Sequence, residues 1–171
     1  MSKYGTLIEN AKIKFAKQVI SLLYSKDEEL AKDMAEQVGK VCGQMNDSEI
    51  VNNIIHELSE GIYHSDSSQE GSGVKNACKF LERLSKVQPK EVYRNISKLL
   101  GFFDCESFVL RIALIKILSN IIRYVLTLRD DSEKYPTETR KNYAMTKDLF
   151  IELLIRRIND KTATCRTKVL K

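Results

Sequence analysis

Residues 101–126, GFFDCESFVLRIALIKILSNIIRYVL, decide the fold because their turn and helix start recur near the C-terminus, in INDKTATCRTKVL at residues 158–170. The matching positions are Asp104 with Asp160, Val109 with Cys165, and Arg111 with Arg166. An apolar helical run precedes each copy, so the chain has the order helix, Asp-containing turn, helix, used twice. One such unit cannot bury its apolar face alone, and stacked units form a continuous core. The sequence therefore predicts an all-α helical-repeat array, an α-solenoid, which binds macromolecules rather than performing chemistry.

Apolar residues at spacings of three and four positions predict about seven helices and no β-strand. The predicted helices cover residues 7–24, 26–41, 49–63, 74–87, 89–103, the stretch from the Asp104 turn to about Leu128, and 138–158. A further helix begins after the Asp160 turn. The side chains predicted to lie in the core are Phe80, Leu84, Leu99, Leu110, Leu114, Leu118, Ile122, Phe150 and Leu154.

Local signals mark where three of these helices start. Ser25 and Glu28 have the S-x-x-E spacing of a capping box, in which both side chains bind backbone N–H groups of the first turn. Asp47 or Ser48 caps the third helix in the same way. Pro89 suits a first helical turn, where its missing N–H is harmless and its φ angle is already helical.

Two polar stretches interrupt the helical pattern. They predict flexible loops at about residues 64–73 and 129–137, since both are rich in polar residues and lack periodicity. The pattern is otherwise of one kind, so we expect residues 1–171 to form a single helical array. The last apolar stripe begins at Cys165 and has no partner, which predicts a fragment of a longer solenoid.

The positive charge is concentrated in the later part of the chain. Residues 1–73 carry 7 Lys and Arg against 12 Asp and Glu, whereas residues 74–126 carry 10 against 4 and residues 138–171 carry 9 against 4. Lys and Arg of this kind either solvate the outer helix faces or form a surface that binds phosphates. Both interpretations remain open at this point.

The repeated Asp and Arg residues have a structural role in such arrays. An Asp before a helix accepts hydrogen bonds from first-turn N–H groups, and an Arg one or two turns later can reach the Asp of a neighbouring repeat. The residues predicted to form this ladder are Asp104, Arg111, Asp160 and Arg166. Ligand binding by the same residues is the alternative.

Enzymatic and metal chemistry find no support in the sequence. The chain has no P-loop, no G-x-S-x-G and no H-E-x-x-H motif, and His56 and His64 are single histidines without partners. The four cysteines, Cys42, Cys78, Cys105 and Cys165, are too far apart for a zinc site and are predicted to be free thiols. We therefore expect no catalytic residues, no cofactor, no metal and no small-molecule substrate.

A membrane segment is also not expected. The longest apolar run is interrupted by Arg111, Lys116 and Arg123, whereas a transmembrane helix needs roughly 18 or more predominantly apolar residues. Met1 is not followed by a basic and then apolar leader. Free cysteines fit a reducing compartment, so a cytosolic or nuclear location is the default expectation.

Four motifs in order over about residues 50–171 resemble one family. They are an FLxxLS helix, a helix that begins with Pro89, an L-x-x-x-D-x-E-S-[FY]-x-L-R helix, and an F-[LI]-[DE]-x-L helix leading to D-x-x-x-x-x-R-x-x-V-L. The matching residues are Phe80, Leu81, Leu84 and Ser85; Leu100, Asp104, Glu106, Ser107, Phe108, Leu110 and Arg111; Phe150, Ile151, Glu152 and Leu154; and Asp160, Arg166, Val169 and Leu170. The chain resembles the condensin complex subunit 1 family, the HEAT-repeat regulatory subunits of condensin. It departs from the family at Cys165, where an aromatic or apolar residue is usual.

The resemblance implies a HEAT-like solenoid with a non-enzymatic scaffold role in mitotic chromosome condensation. It implies a complex with a kleisin subunit and two SMC ATPases, binding to chromatin and double-stranded DNA, and a location in the nucleus and on mitotic chromosomes with a cytoplasmic pool. DNA binding through the phosphates would be independent of sequence. The candidate phosphate contacts are Lys75, Lys79, Arg83, Lys86, Lys90, Arg94, Lys98, Arg156, Arg157, Lys161, Arg166 and Lys168. The alternative is a HEAT-repeat adaptor that binds a peptide or protein on its inner face without contacting nucleic acid.

Overall fold

The computed structural model describes residues 3–24, 28–45, 47–64, 71–130 and 137–171. Within these residues there are eight α-helices and no strand: α1 (Lys3–Leu23), α2 (Glu28–Met45), α3 (Glu49–His64), α4 (Ser72–Val87), α5 (Pro89–Arg94), α6 (Phe108–Asp130), α7 (Thr137–Arg156) and α8 (Ala163–Val169). Short 3₁₀ turns lie at Ile96–Lys98, Leu100–Asp104 and Arg157–Asn159. The prediction of an all-α helical-repeat fold is confirmed. The predicted Ser25 cap and the centres of the two predicted loops lie outside the described residues.

The helices stack in two layers. Helices α1, α3 and α5 contact one another in order, and α2, α4, α6 and α8 form a second series in the same way. Helix α7 joins the odd-numbered layer, because Tyr93 of α5 packs its ring against Tyr143 and Phe150 of α7, with ring centroids 5.8 and 6.3 Å apart. The even-numbered layer has the most extensive contacts, between α2 and α4 and between α4 and α6. This layer carries the long helix that was most apolar in the sequence.

Seven of the nine predicted core side chains are buried, among them Phe80, Leu84 and Leu114 at 0% exposure. The prediction is wrong for Ile122 and Leu154, which are half-buried and pack against the edge of the core. On α6 the core position belongs to the neighbouring Ile121, which is fully buried. A helix turns by about 100° per residue, which places Ile122 at the edge of the buried face that Ile121 shares with Leu118.

The helix predicted over residues 89–103 ends early. Pro89 starts α5 as expected, but the α-helix stops at Arg94 and two 3₁₀ turns follow. Asn95 is the cause, because its side-chain Nδ2 donates to the carbonyl of Glu91 at 3.0 Å while its own N–H bonds to Val92, three residues back. Asn side chains compete for backbone groups in this way and disfavour continued helix. The apolar residues of the segment nevertheless remain buried, including Val92, Ile96 and Leu99.

Close contact between α2 and α4 depends on Gly39. A Cβ atom at this position would lie 3.1 Å from a methyl group of Val87, closer than most side chains permit. The side-chain Nε2 of Gln88 donates to the carbonyl of Gly39 at 2.9 Å across the same contact. On the other layer, Asp47 rather than Ser48 supplies a side-chain cap, since its Oδ1 accepts the N–H of Glu49 at 2.9 Å at the start of α3.

Candidate functional site

A buried ion pair joins two successive repeats of the even-numbered layer. The guanidinium of Arg111 on α6 donates from Nε to Oδ2 of Asp160 at 2.9 Å and from Nη2 to Oδ1 at 3.2 Å. Both side chains are almost inaccessible to solvent, at 3% and 2% exposure. Burial raises the pKa of Asp160, but the Thr162 N–H and the Arg111 guanidinium outweigh it and hold that pKa below its usual value. The pair is therefore charged at neutral pH.

Arg111 also satisfies three further acceptors. Its Nη1 donates to the carbonyls of Cys105 and Glu106, both at 2.8 Å, and its Nη2 donates to the hydroxyl of Thr162 at 2.8 Å. Each guanidinium nitrogen thus has an acceptor, which offsets the cost of removing the charge from water. The contacts tie the turn before α6 to the turn before α8.

Arg166 makes carbonyl contacts like those of Arg111, and these contacts show how the two repeats align. Its Nη1 donates to the carbonyls of Asp160 and Lys161 at 2.7 and 3.3 Å, as Arg111 does to residues six and five positions earlier. Arg111 and Arg166, like the starts of α6 and α8, place the repeats 55 residues apart. Asp160 therefore corresponds to Cys105 and not to Asp104, which is exposed at the end of its 3₁₀ turn.

The odd-numbered layer has a comparable link near the N-terminus. Nζ of Lys12 on α1 lies 2.6 Å from Asp47 Oδ2 and 2.5 Å from Glu49 Oε2, at the start of α3. Hydrogen bonds from the Lys12 ammonium lower the pKa of both carboxyl groups. In each layer, then, a cation on one helix binds a carboxylate in or beside the turn before the next helix. The repeated sequence motif at Asp104 gave no indication of the link between Lys12 and the start of α3.

The candidate cations of α4 lie along the even-numbered layer. Lys75 is exposed and Lys79 is half-buried. Arg83 binds Glu36 of α2, and Lys86 lies 3.8 Å from Glu82 one turn earlier. Surface pairs of this kind contribute little to stability, about 0–1 kcal/mol, so their cations can exchange partners at small cost.

The candidate cations of residues 90–98 are on other parts of the molecule. Lys90 is exposed, and Arg94 binds Glu91 one turn earlier at 3.0 Å. Lys98 donates to the side-chain oxygen of Asn52 on α3 at 2.6 Å. These residues belong to the odd-numbered layer and do not extend the α4 row. The twelve candidate cations therefore do not form one continuous patch.

The turn between α7 and α8 gathers a third group. Arg156 binds Glu152 at 2.7 Å and Lys161 binds Glu106, and both cations are well exposed, at 66% and 59%. Residues 156–171 carry six Lys and Arg against one acidic residue, Asp160, which is already paired inside the protein. This segment of the chain therefore carries a net positive charge, and the exposed carboxylates of Asp104, Glu106 and Glu152 lie beside it.

Arg157 has a different role from its neighbours. Its guanidinium lies 4.6 Å from the ring centroid of Phe103 and donates to the Phe103 carbonyl at 3.3 Å. A cation over an aromatic ring is stabilised by the ring's electron density. Arg157 is half-buried and joins the 3₁₀ turn Arg157–Asn159 to the 3₁₀ turn Leu100–Asp104. Its main contact is therefore with the protein itself.

A groove between α4 and α6 was not visible in the sequence. It has a volume of about 360 Å³, and its apolar part is formed by Cys78 of α4 with Val109, Ile112 and Ala113 of α6. Lysines stand at its edges, namely Lys75, Lys79 and Lys116. The apolar periodicity of a helix distinguishes buried residues from exposed ones. It does not show that the partly apolar sides of α4 and α6 meet next to a row of lysines.

Among the described residues, the His, Cys, Asp and Glu side chains are those that could bind a metal ion. No group of three or more His, Cys, Asp or Glu side chains there is arranged to hold a metal ion. All four cysteines are free thiols, and Cys42, Cys78 and Cys165 are buried. Cys165, the position at which the chain departs from the family motif, is buried in the core with 0% exposure. The helices within the described residues are too short or too polar to span a bilayer.

Comparison with known proteins agrees with the motifs. No family model matches the chain. Condensin complex subunit 1 of Schizosaccharomyces pombe is 29% identical over 143 residues, which cover 84% of this chain. The predicted resemblance to condensin complex subunit 1 is thus confirmed. The chain spans about 12% of the length of that relative.

Proposed function

We propose that this chain is a non-enzymatic scaffold segment of a condensin complex that acts in mitotic chromosome condensation. The similarity to condensin complex subunit 1 over most of the chain carries the proposal, together with the two-layered helical array. Its partners would be the kleisin and the SMC ATPase subunits, and it would work in the nucleus and on mitotic chromosomes, with a cytoplasmic pool. Buried links such as Arg111–Asp160 suit this role, because they hold successive repeats in one register.

We further propose that the turn between α7 and α8 contacts double-stranded DNA without reading its sequence. Its exposed cations, Arg156 and Lys161, are paired only with exposed carboxylates, Glu152 and Glu106, which phosphate can replace. An excess of positive charge over residues 156–171 supports the proposal. Phosphate contacts of this kind release counterions, so the affinity falls with salt.

Salt-dependent binding tests the DNA proposal. The triple variant Arg156→Gln, Lys161→Gln, Lys168→Gln should weaken binding equally for duplexes of unrelated sequence. It should also flatten the slope of log affinity against log salt by roughly two to three units, at about 0.9 per phosphate. Arg157 is left intact because it packs on Phe103. Fluorescence anisotropy with labelled duplexes measures both quantities.

The matched control is Lys14→Gln, Lys17→Gln, Lys40→Gln. These three lysines are exposed and lie in the acidic part of the chain, and the change in net charge is the same. An unchanged slope in the first variant, or an equal loss in the control, would refute a DNA contact at this turn. Co-purification with the kleisin, with and without the chain, tests the scaffold proposal separately.

A protein-binding adaptor is the second candidate function. The groove between α4 and α6 favours it, because an apolar groove edged by lysines has a chemistry that DNA does not need. Peptide binding and DNA binding would use different surfaces of the same array, so the two candidates do not exclude each other.

A further inference from the structure

The groove between α4 and α6 combines an apolar floor with a cationic edge. Val109 and Ile112 are half-buried, so they pack against the core and still present apolar surface to solvent. Cys78 and Ala113 close the floor between them with 5% and 4% exposure. Contiguous apolar surface of this kind, bordered by polar groups, is typical of sites that bind another molecule.

The edge of the groove carries more positive than negative charge. Lys75, Lys79 and Lys116 line it together with a single carboxylate, Glu82. Glu82 Oε2 accepts a hydrogen bond from Nζ of Lys116 at 2.6 Å, and both side chains remain partly exposed, at 24% and 31%. The lining of the groove thus holds three cationic side chains and one carboxylate, which favours an anionic ligand.

The cationic edge continues beyond the groove. A second depression of about 330 Å³ shares Lys79, Glu82 and Lys116 with the first. It adds Lys32 of α2 and, on α4, Arg83 and Lys86. The positive surface thus extends over α2, α4 and α6 of the even-numbered layer, so it is larger than the contact area of a single bound side chain. Its length suits an extended segment with several acidic residues.

We propose that the groove between α4 and α6 binds an acidic peptide segment that carries a bulky apolar side chain. The apolar side chain packs on Val109 and Ile112, and flanking Asp or Glu carboxylates contact Lys75, Lys79 and Lys116. Double-stranded DNA presents phosphates but no apolar side chain to cover this floor. The site is separate from the α7–α8 turn proposed for DNA, so either proposal can fail alone.

The proposal assigns a different role to part of the candidate DNA set. Lys75 and Lys79 were grouped with the other cations because the sequence gives only their charge and helical spacing. In the structure they stand beside apolar α6 side chains. Burial of apolar surface contributes a favourable free energy that charge alone does not supply. Peptide recognition by helical arrays commonly combines such anchors with charge.

The first test is a selection of short random peptides on the immobilised chain, with counter-selection on the variant Lys75→Glu, Lys79→Glu. We expect the enriched peptides to place Asp or Glu around a Phe, Leu, Ile or Met residue. Enrichment of peptides without acidic residues, or without an apolar anchor, would overturn the proposal, as would a lack of enrichment. Circular dichroism confirms that the counter-selection variant is folded.

The second test separates the apolar contact from the charge. Val109→Ser should weaken binding of the enriched peptide by about tenfold or more, since the anchor loses its packing surface, and should not change binding of duplex DNA. When the peptide's apolar residue is replaced by Ser, Val109→Ser should cause little further loss of peptide affinity, because the apolar contact is already absent. The control Lys14→Glu, Lys17→Glu has the same charge change on α1 as the lysine variant and should bind the peptide normally.

DNA is the competing occupant in this test. If Lys75→Glu, Lys79→Glu lost affinity for duplex DNA, duplex DNA displaced the peptide from the wild-type chain, and Val109→Ser had no effect on peptide binding, the groove would be a phosphate surface. A selective loss of peptide binding in both variants, with the DNA salt slope unchanged, supports the peptide site.

Discussion

Arg111 and Asp160 lie 49 residues apart in sequence and form a two-pronged, solvent-inaccessible ion pair between α6 and the turn before α8. The pair connects a helix of one repeat to the turn of the next, and Thr162 contacts both partners. Because the charges are fully hydrogen-bonded, the cost of removing them from water is offset. The buried pair thus joins the two repeats together with the contacts of Arg157 with Phe103 and of Lys161 with Glu106.

Arg111→Met should destabilise the protein by about 3–5 kcal/mol, because it leaves the carboxylate of Asp160 buried without its cation. Urea unfolding followed by circular dichroism measures the loss. The control is Arg94, whose side chain is 54% exposed while that of its partner Glu91 is 13% exposed, and Arg94→Met should cost about 0–1 kcal/mol. Equal effects of the two substitutions would contradict a special role for the buried pair.

Asp160→Asn should change how stability depends on pH. The folded-state pKa of Asp160 is lowered, so its contribution is present above its unfolded pKa of about 3.9 and is lost as the pH falls through the folded value. Wild type should exceed Asp160→Asn in unfolding free energy at pH 7, and the difference should shrink below about pH 4. Other carboxyls with lowered pKa values, such as Asp47, are present in both proteins and cancel. A constant difference across this range would show that Asp160 does not titrate as described.

Periodicity predicted the helices because their apolar stripes pack against other helices, as the burial of Phe80, Leu114 and Phe150 illustrates. It did not predict the end of α5, since the apolar spacing of residues 89–103 continues through Asn95 while the side-chain hydrogen bond of Asn95 interrupts the helix. Hydrophobic patterns report which residues are buried and say less about backbone hydrogen bonds.

The sequence aligned Asp104 with Asp160, whereas the structure aligns Asp160 with the next residue, Cys105. Two Asp residues appeared equivalent because both precede an Arg-containing helix, yet the carbonyls bound by Arg111 and Arg166 pair Asp160 with Cys105. Short polar motifs fix neither register nor burial. Similarly, sequence charge could not distinguish Arg157, stacked on Phe103, from the exposed Arg156. Three-dimensional neighbours decide those roles.

Leu114→Ala should destabilise the protein by about 2–5 kcal/mol, since Leu114 on α6 is fully buried and the substitution leaves a cavity. Leu126→Ala on the same helix is the matched control, because Leu126 is 42% exposed and removes little buried surface. Thermal unfolding of both variants measures the contrast. An unchanged melting midpoint for Leu114→Ala would remove this residue from the core.

Thiol modification of the native protein should proceed in an order set by burial. Cys105 is the half-buried thiol, whereas Cys42, Cys78 and Cys165 are buried. Burial raises the pKa of Cys78 to about 12, and only the thiolate form attacks alkylating reagents, so Cys78 should react last or after unfolding. Timed iodoacetamide labelling with mass spectrometry identifies the modified residue at each stage. The Cys105→Ser variant should lose the first reaction phase and retain the others in urea, and early labelling of Cys78 in the folded protein would contradict the packing of α4 against α6.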